Sequence, residues 1–390
     1  MMRVSKSRLL WGCSLTLAIF TAAGVFVFNP LGLGPEPETV LSRAFFDTSF
    51  QDSSQLELLV DGEEAFYEIL EAIDGARCSI FVQIFIWKDD TIGRRIVSGL
   101  KSAADRGVKV TVRKDVLGTF FEFGDMVKGK MSPVFTKAGL RGYKNIDVDV
   151  DVFADTDHSK YFIVDDCLTI FGGMNISQEY SSQWHDYMVL IRSRQWTISF
   201  KNLVMKSVPW PDPSPFVVAV NDRRATEIRT ALIQMIDNAR KSLIIEHAYF
   251  SDGKIIDAVR RAVRRGITVE IILPKAPDTH GYANMATINR LLDSGSETNL
   301  SVFLYPHMSH AKVVLTDGEI AAVGSANLTP RSMRTSREVT LFVHGSRDDP
   351  FLKKLRQRLH ADIDKSERVM APFKLGFTHR IKSVVGKYVW

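Results

Sequence analysis

Cysteine is scarce in this chain and shows no useful spacing. Only Cys13, Cys78 and Cys167 occur among 390 residues, and no two of them form a CxxC or similar pair. That pattern excludes a disulfide framework and predicts no structural zinc site. A chain of this length with 45% hydrophobic residues buries a sizeable core without such cross-links. We therefore expect an ordinary globular protein that is long enough for two domains.

The body of the chain also lacks an excess of basic charge. The formal net charge is +5, but residues 1–8 contribute +3, and residues 351–390 carry ten basic against three acidic side chains, or +7. The rest of the chain therefore carries −5. Non-specific nucleic-acid binding depends on a broad basic field, so we expect no nucleic-acid partner. Positive charge at the two ends fits an anionic membrane instead.

A long apolar run lies near the N-terminus. Residues 9–28 contain no charged side chain and are long enough to cross a bilayer as a helix. A cleaved signal peptide is the alternative, since Thr21-Ala22-Ala23 offers a cleavage site, although the apolar run continues past it. Basic residues precede the run and acidic residues follow it, which predicts a single-pass anchor with the body on the outer side. We assign residues 1–34 to this anchor or signal peptide and residues 35–54 to a spacer.

Internal repetition divides the remainder of the chain. Residues 72–112 and 235–272 each pass from a helix end through an apolar strand, a polar turn and a helix closed by Arg-Gly to a second strand. Two such βαβ-like units predict two α/β halves. Four prolines between them cannot continue a helix or a central strand, so they mark a linker. The predicted boundaries are a first half at 55–206, a linker at 207–215, a second half at 216–350 and a C-terminal tail at 351–390.

The tail is basic and amphipathic. In a helix it would place five apolar side chains on one face, as is typical of a helix on an anionic membrane surface. These residues are Phe377, Ile381, Val384, Val385 and Tyr388. A final helix docked on the protein is the alternative.

One short motif occurs in both halves. HSKYFIVDD at residues 158–166 returns as HAKVVLTDG at residues 310–318. In each half a glycine-containing turn leads to an asparagine 17 positions after the histidine, and an acid follows 11 positions later. Matched residues at fixed offsets argue against coincidence. The candidate site residues are His158, Lys160, Asp165, Asn175 and Asp186 in the first half and His310, Lys312, Asp317, Ser325, Asn327 and Glu338 in the second.

These residue types suit attack on a phosphodiester. Residues two apart on a strand share a face, so each histidine projects beside its lysine. The histidines can act as nucleophile and acid, while the lysines, the asparagines and Ser325 can clamp an anion. The acids can orient the imidazoles, and we expect Asp186 to orient His158. Asp165 and Asp317 are included with the catalytic set, although their place after an apolar strand is also typical of a turn. Two lysines can supply the charge that a metal would give, so we expect no metal or other cofactor.

Together these motifs resemble the HKD signature of the phospholipase D superfamily, over most of residues 55–350. GGMNIS and QWHDYMV in the first half, and GSANLTPRSM in the second, are similar to bacterial cardiolipin synthases. LELLVDGEEAFYEIL and KDDTIGRRI also resemble the opening of that family. The chain departs from the pattern in having one apolar N-terminal segment where the family often has two. Ser336 and Asp157 also replace the usual neighbours of the motif residues.

The resemblance implies two phospholipase D-like halves, each a mixed β-sheet flanked by helices, with the active site at their interface. It implies a membrane-anchored phosphatidyltransferase that acts on phosphatidylglycerol-like phospholipids through a phosphohistidine, at the inner membrane of a bacterium. It favours His158 as nucleophile and His310 as acid and base, but the nearly equivalent halves leave that assignment open. A hydrolytic phospholipase D and an HKD phosphodiesterase or nuclease are the alternatives. Nothing in the sequence indicates which oligomeric state the protein adopts.

Overall fold

The computed structural model describes residues 33–47, 55–151, 156–206, 208–211, 215–293, 298–379 and 382–383. The expected anchor at residues 9–28 lies outside these ranges, as does most of the apolar face of the tail. No helix in the described part of the chain is both long and apolar enough to cross a bilayer.

A mixed sheet forms the centre of the first half. Within the described ranges it contains seven strands, in the order β1-β7-β6-β5-β2-β3-β4. The parallel strands β2, β3 and β4 join the antiparallel remainder where β5 pairs with β2. The strands are β1 Leu56–Val60, β2 Ser79–Ile84, β3 Lys109–Asp115, β4 Ile146–Asp151, β5 Tyr161–Val164, β6 Leu168–Gly172 and β7 Tyr187–Arg192.

The second half repeats this sheet and adds one edge strand. Its eight described strands follow the order β15-β11-β10-β9-β12-β13-β14-β8, so that β12 corresponds to β5 and β14 to β7. The strands are β8 Phe216–Asn221, β9 Ser242–His247, β10 Thr268–Pro274, β11 Leu300–Tyr305, β12 Lys312–Thr316, β13 Ile320–Gly324, β14 Glu338–His344 and β15 Glu367–Arg368.

Helices flank both sheets. The main helix of each repeat begins at an aspartate cap, Asp90 or Asp252, whose carboxylate accepts backbone N–H groups of the first turn. The described helices are α1 Arg43–Asp47, α2 Asp61–Gly75, α3 Thr91–Asp105, α4 Gly118–Phe121, α5 Phe123–Val127, α6 Gln178–Ser182, α7 Arg194–Lys206, α8 Ile228–Asn238, α9 Gly253–Arg264, α10 Gly281–Leu292, α11 Pro330–Arg334 and α12 Pro350–Lys365, with a 3₁₀ turn at Pro133–Phe135.

The two sheets pack face to face. Alternate residues of each strand serve different cores, as the period of two requires. On β5, Phe162 lies in the outer core of the first half, whereas Tyr161 and Ile163 join a shared core that also contains Val313 and Val339 of the second half. The predicted fold class, two similar α/β halves with mixed sheets flanked by helices, is confirmed.

Part of the expected spacer is folded against the second half. Leu41 and Phe45 are fully buried in the outer core of that half. The side-chain oxygen of Gln234 on α8 accepts hydrogen bonds from the backbone N–H groups of Val40 and Leu41, at 3.0 and 2.9 Å. Residues 33–47 therefore belong to the globular body rather than to a spacer, because their apolar side chains have a core to enter.

The second half also extends past the predicted boundary at residue 350. Helix α12 is capped by Asp349 and buries four apolar side chains in the core shared by the halves: Phe351, Leu352, Leu355 and Leu359. The first half of the expected tail is thus part of the body. Farther on, His379 stacks on Tyr282 of α10 at 4.7 Å between ring centroids, so this short described stretch contacts the protein.

Candidate active site

Strands β5 and β12 bring the two histidines to the interface of the halves. His158 and Lys160 immediately precede β5, while His310 precedes β12 and Lys312 begins it. The backbone N–H of His158 donates to the carbonyl of Arg337, and that of His310 donates to the carbonyl of His185, at 2.9 and 2.7 Å. Each histidine strand is therefore bonded to the segment that carries the acid of the opposite half.

This arrangement crosses the histidine–acid pairs between the halves. His158 Nδ1 lies 3.0 Å from Glu338 Oε1, and His310 Nδ1 lies 2.7 Å from Asp186 Oδ2. The expectation that Asp186 orients His158 is therefore wrong. The reason lies in the two backbone hydrogen bonds between the halves. Glu338 directly follows Arg337, so its carboxylate faces His158, which is bonded to Arg337. Asp186 directly follows His185, so its carboxylate faces His310, which is bonded to His185. With Nδ1 held by an acid, Nε2 is the ring nitrogen left for chemistry.

Burial dominates the electrostatics of the imidazoles. Desolvation lowers the pKa of His158 to about 4, although the Glu338 carboxylate opposes the shift. Burial, with the Lys312 charge, also holds the pKa of His310 well below its ordinary value. These shifts favour the neutral form of both rings near pH 7, so one is available as a nucleophile. The other needs an additional negative charge nearby before it can hold a proton.

Two buried lysines supply positive charge. Burial lowers the pKa of Lys160 to about 7 and that of Lys312 to about 8, with Glu338 and Asp186 opposing the shifts. Lys312 Nζ lies 2.8 Å from His310 Nδ1. Lys160 Nζ donates to the carbonyl of His158 and sits 5.3 Å above the Phe85 ring. A phosphodiester anion bound beside these buried side chains would favour the charged state of both lysines.

Ser325 serves the orienting acid of its own half. Its hydroxyl donates to Glu338 Oε2 at 2.5 Å, so it fixes the carboxylate that holds His158. The corresponding residue of the first half is Gly173, where a Cβ atom would lie only 2.4 Å from Asp186 Oδ1. Gly173 thus leaves room for Asp186, whereas the matching Ser325 donates a hydrogen bond to Glu338. We predicted Ser325 as an anion donor, and the structure instead places its hydroxyl on Glu338.

The two asparagines have different surroundings. Asn175 accepts the backbone N–H of Ile86 at 2.9 Å and donates to the hydroxyl of Tyr180 at 3.0 Å. The Tyr180 oxygen in turn lies 3.3 Å from His310 Nε2. Asn327 Oδ1 is buried and has no hydrogen-bond partner among the described residues. Asn175 thus supports the wall around His310, whereas Asn327 keeps a polar atom uncommitted in the site.

Asp165 and Asp317 lie at the far ends of the two strands from the histidines. The Asp165 carboxylate accepts three backbone N–H groups, those of residues 77–79, at 2.7–2.8 Å. Asp317 does the same for residues 240–242, at 2.7–2.9 Å. Both adopt left-handed backbone conformations, with φ of 52° and 55°. This placement supports the turn interpretation and argues against their inclusion among the catalytic residues, because each carboxylate is occupied in closing a loop.

Aromatic side chains around the histidines were not predicted. The Phe85 ring meets the edge of His158 at 4.9 Å, while Tyr180 and Trp184 lie 4.9 and 5.8 Å from His310. Only Tyr180 and Trp184 lie in the motif region of the sequence, five and nine positions after Asn175. No spacing rule connects Phe85 to His158, because their contact depends on how β2 continues beyond its pairing with β5.

A buried ion pair fixes the Phe85 segment. Lys114 Nζ lies 2.7 Å from Glu122 Oε1 and donates to the Phe85 carbonyl at 2.8 Å. The same carboxylate oxygen accepts the backbone N–H of Trp87 at 2.7 Å. Both charged side chains are buried, so separating them would be costly. Their hydrogen bonds to the backbone of Phe85 and Trp87 fix the segment that contacts His158.

His185, next to Asp186, lies in a cage of carboxylates. Its Nδ1 is 2.5 Å from Asp61 Oδ1, and its Nε2 is 3.2 Å from Asp362 Oδ2 and 3.6 Å from Glu246 Oε1. Burial alone would lower the pKa of this imidazole, but the three acids outweigh it and hold the pKa well above its ordinary value. An imidazolium fits the cage. The ligand atoms of His185, Glu246 and Asp362 also lie within 4.8 Å of one another and could hold a metal ion.

The fold and the paired site define the class of protein. Two α/β halves that share a pair of His-x-Lys strands, with crossed acids and two buried lysines, have the architecture of phospholipase D-like enzymes. The family described as "Cardiolipin synthase, PLD-like domain" matches the chain at residues 69–204 and 232–363. The chain belongs to this family, and the resemblance seen in the sequence is confirmed.

Known proteins agree with this assignment. The major cardiolipin synthase of Bacillus subtilis is 28% identical over 353 residues, which cover 80% of this chain and 70% of that protein. Cardiolipin synthase A of Pseudomonas entomophila is 29% identical over 368 residues, or 85% and 73% of the two chains. The solved structure of phosphatidylserine synthase from Haemophilus influenzae has the same fold, with a TM-score of 0.63 at 15% identity over 87% of this chain and 93% of that one. The chain is thus an enzyme of the phospholipase D superfamily, cardiolipin synthase-like in its domains.

Proposed function

We propose that the chain is a membrane-associated phosphatidyltransferase of the cardiolipin synthase type. It transfers the phosphatidyl group of one phosphatidylglycerol-like lipid to an alcohol of a second and releases glycerol. The observation that carries this proposal is the crossed site, in which each of two imidazoles pairs with the acid of the opposite half and two buried lysines lie beside them. The names of the relatives support the lipid substrate.

In the first step, His158 Nε2 attacks phosphorus. A P–N bond forms while the P–O bond to the head-group oxygen breaks, and His310 Nε2–H donates its proton to that oxygen. The low pKa of His158, which burial sets at about 4, keeps this nitrogen unprotonated at neutral pH. The phosphodiester brings the negative charge that favours a proton on His310, since an anion beside an imidazole raises its pKa.

In the second step, an acceptor alcohol displaces His158. His310 Nε2 takes the alcohol proton as the new P–O bond forms and the P–N bond breaks, which restores both imidazoles. Lys160 and Lys312 stabilise the charge on the phosphoryl oxygens in both steps. Glu338 and Asp186 hold the two rings in the tautomer that leaves Nε2 facing the phosphorus.

A surface beside His158 supports a lipid substrate. Phe121 lies 5.6 Å from Phe85, the ring that contacts His158, and is 43% exposed. Val127 and Met131 are 72% and 46% exposed nearby in the chain, and the side chains of Lys128 and Lys130 between them are also exposed. Apolar side chains mixed with lysines suit contact with an anionic membrane surface. An anchor at residues 9–28, with the body on the outer side of a bacterial inner membrane, remains the expectation from the sequence.

The test is lipid turnover by the purified full-length chain. Incubated with phosphatidylglycerol in mixed micelles, it should produce cardiolipin and glycerol in equal amounts. His158→Asn and His310→Asn variants, checked for an unchanged melting temperature, should each lose almost all of this activity. Phosphatidic acid as the sole lipid product would instead indicate the hydrolase. No lipid turnover under any condition would contradict the proposal.

A further inference from the structure

We propose that Asp278, held by Tyr249 at the His310 side of the site, binds the free hydroxyl groups of a polyol head group. This subsite would recognise the leaving glycerol in the first step and the polyol end of the acceptor in the second. The inference rests on the proposed function and assigns the substrate orientation that the function requires.

The position of Asp278 is built by its neighbours. The Tyr249 ring lies edge-on to His310, with 6.3 Å between centroids, and its hydroxyl donates to Asp278 Oδ1. The backbone N–H of Thr279 donates to the same oxygen at 2.8 Å. Asp278 is exposed, and its second oxygen, Oδ2, accepts no hydrogen bond from the described residues. One carboxylate oxygen is therefore fixed, and the other is free to accept from a ligand.

The charge of Asp278 acts on the catalytic groups. Burial lowers the pKa of His310, and the Asp278 carboxylate opposes that shift. For Lys312, burial lowers the pKa to about 8, while the carboxylates of Asp186, Glu338 and Asp278 oppose this shift. Asp278 is thus near the imidazole that protonates the leaving oxygen. The remaining hydroxyls of a glycerol attached to that oxygen would come within reach of a carboxylate placed here.

The surrounding rings favour a hydroxylated ligand over a cationic one. His280 covers one face of Tyr249 at 4.5 Å, and the ring of Trp184 lies nearly parallel to His310. Because these rings lie over one another, part of each aromatic face is covered and less is open to an ammonium group. The two buried lysines would also repel such a cation. A neutral polyol instead donates hydroxyl groups to the carboxylate and packs its carbon atoms against the aromatic side chains.

The corresponding positions beside His158 have the opposite character. In the second half, Ala248 and Tyr249 follow β9; in the first half, Phe85 and Ile86 follow β2. The ring that approaches His158 is thus Phe85, and Ile86 stands at the chain position that corresponds to Tyr249. An apolar end at His158 and a polar end at His310 orient the substrate, with its diacylglycerol side toward His158 and its head group toward Asp278.

Competition between two acceptor alcohols tests the subsite. The full-length enzyme receives phosphatidylglycerol as donor with deuterated glycerol and 1-propanol at equal concentration. Mass spectrometry then gives the ratio of deuterated phosphatidylglycerol to phosphatidylpropanol. Asp278→Asn should lower this ratio about tenfold, because one charge-assisted hydrogen bond to glycerol is lost, and the ratio cancels any effect of the missing charge on the step that both alcohols share. Tyr249→Phe should lower the ratio by less, since it loosens Asp278 without removing it.

A matched control is Asp293→Asn, an exposed aspartate at the other end of α10, which should leave the ratio unchanged. An unchanged ratio in Asp278→Asn, with cardiolipin still formed, would overturn the subsite and leave the proposed function standing. Equal loss of transfer to both alcohols would also overturn it. So would a wild-type preference for ethanolamine over glycerol. A wild-type enzyme that transfers to no alcohol would overturn the proposed function and this inference with it.

Discussion

The two sides of the site follow one template but differ in what surrounds the imidazole. The His158 side chain is 17% exposed and meets Phe85 and the apolar surface beyond it. The His310 side chain is 5% exposed and lies among Tyr180, Trp184 and Tyr249, with Asp278 beyond them. Duplication supplies two equivalent His-x-Lys strands. The side chains around each histidine have no counterpart in the other half, and they make the two surroundings different. We infer that these neighbours assign the role of nucleophile to one histidine and of acid to the other.

The largest expected effect distinguishes the roles of Asp186 and Glu338, because the variants of these two acids should respond differently to a better leaving group. Asp186→Asn should slow transfer from phosphatidylglycerol about 1,000-fold, because it disturbs His310, the proposed general acid. With a p-nitrophenyl phosphodiester, whose leaving group needs no proton, the loss should shrink to about tenfold in the first step. Glu338→Gln should slow the reaction of both substrates about equally, because it disturbs His158, the proposed nucleophile. Single-turnover release of nitrophenol measures this step.

The reverse pattern, with Glu338→Gln rescued by the better leaving group, would show that His158 acts as the acid in this step. Both variants require an unchanged melting temperature for the comparison to hold.

A swap at one matched position should break the symmetry in a directed way. Gly173→Ser would press a side chain against the Asp186 carboxylate, so we expect kcat to fall about 100-fold through displacement of that acid. Ser325→Gly removes only the hydroxyl that holds Glu338, and about a tenfold loss should follow. Steady-state kinetics check both. Equal effects of the two changes would contradict the different supports described for the two acids.

The decline of kcat/KM at alkaline pH should report the loss of positive charge from Lys160 and Lys312. Burial lowers the pKa of Lys160 to about 7 and that of Lys312 to about 8, so their charges are lost as pH rises through this range. We expect kcat/KM for a soluble phosphodiester to decline above about pH 7, because kcat/KM follows ionisation in the free enzyme. Lys160→Arg should move this decline to higher pH, since arginine keeps its proton. A profile that stays flat to about pH 9 would contradict the assignment.

The smallest effect on activity is expected at the strand ends. Asp165→Asn should lower the free energy of unfolding by about 1 kcal/mol, because a neutral amide cannot accept three N–H groups as well as a carboxylate. Activity should stay within about twofold at saturating substrate. Urea unfolding and initial rates measure the two quantities. Asp166→Asn, which loses only a surface pair with Lys201, is the matched control. A large loss of activity without a loss of stability would restore Asp165 to the catalytic set.

The sequence predicted the two α/β halves because they are expressed in local spacing, and the same spacing singled out the histidines and lysines that lie at the interface of the halves. The intervals from His158 to Asn175 and from His310 to Asn327 are identical, and such offsets survive only in repeated units. The crossing of the acids was not predictable in this way. It depends on two bridges between the halves, Asp157 with Arg337 and His185 with Ser309, whose partners are far apart in sequence.

The same limit explains the boundaries. Helix α12 is rich in basic residues and has the composition of a tail, yet four of its apolar side chains are buried in the core between the sheets. Residues 33–47 likewise contain prolines and a glycine but bury Leu41 and Phe45 against α8. Composition measures what a segment contains, whereas its place in the fold depends on which core has space for its few apolar residues.

The assignment of His158 as nucleophile is tested most directly by trapping the covalent intermediate. His310→Asn, given a p-nitrophenyl phosphodiester of diacylglycerol, should complete the first step without an acid and stall in the second without a base. Mass spectrometry of the digested protein should then find the phosphatidyl group on His158, and His158→Asn should show no adduct. An adduct on His310 in the His158→Asn variant would contradict the account.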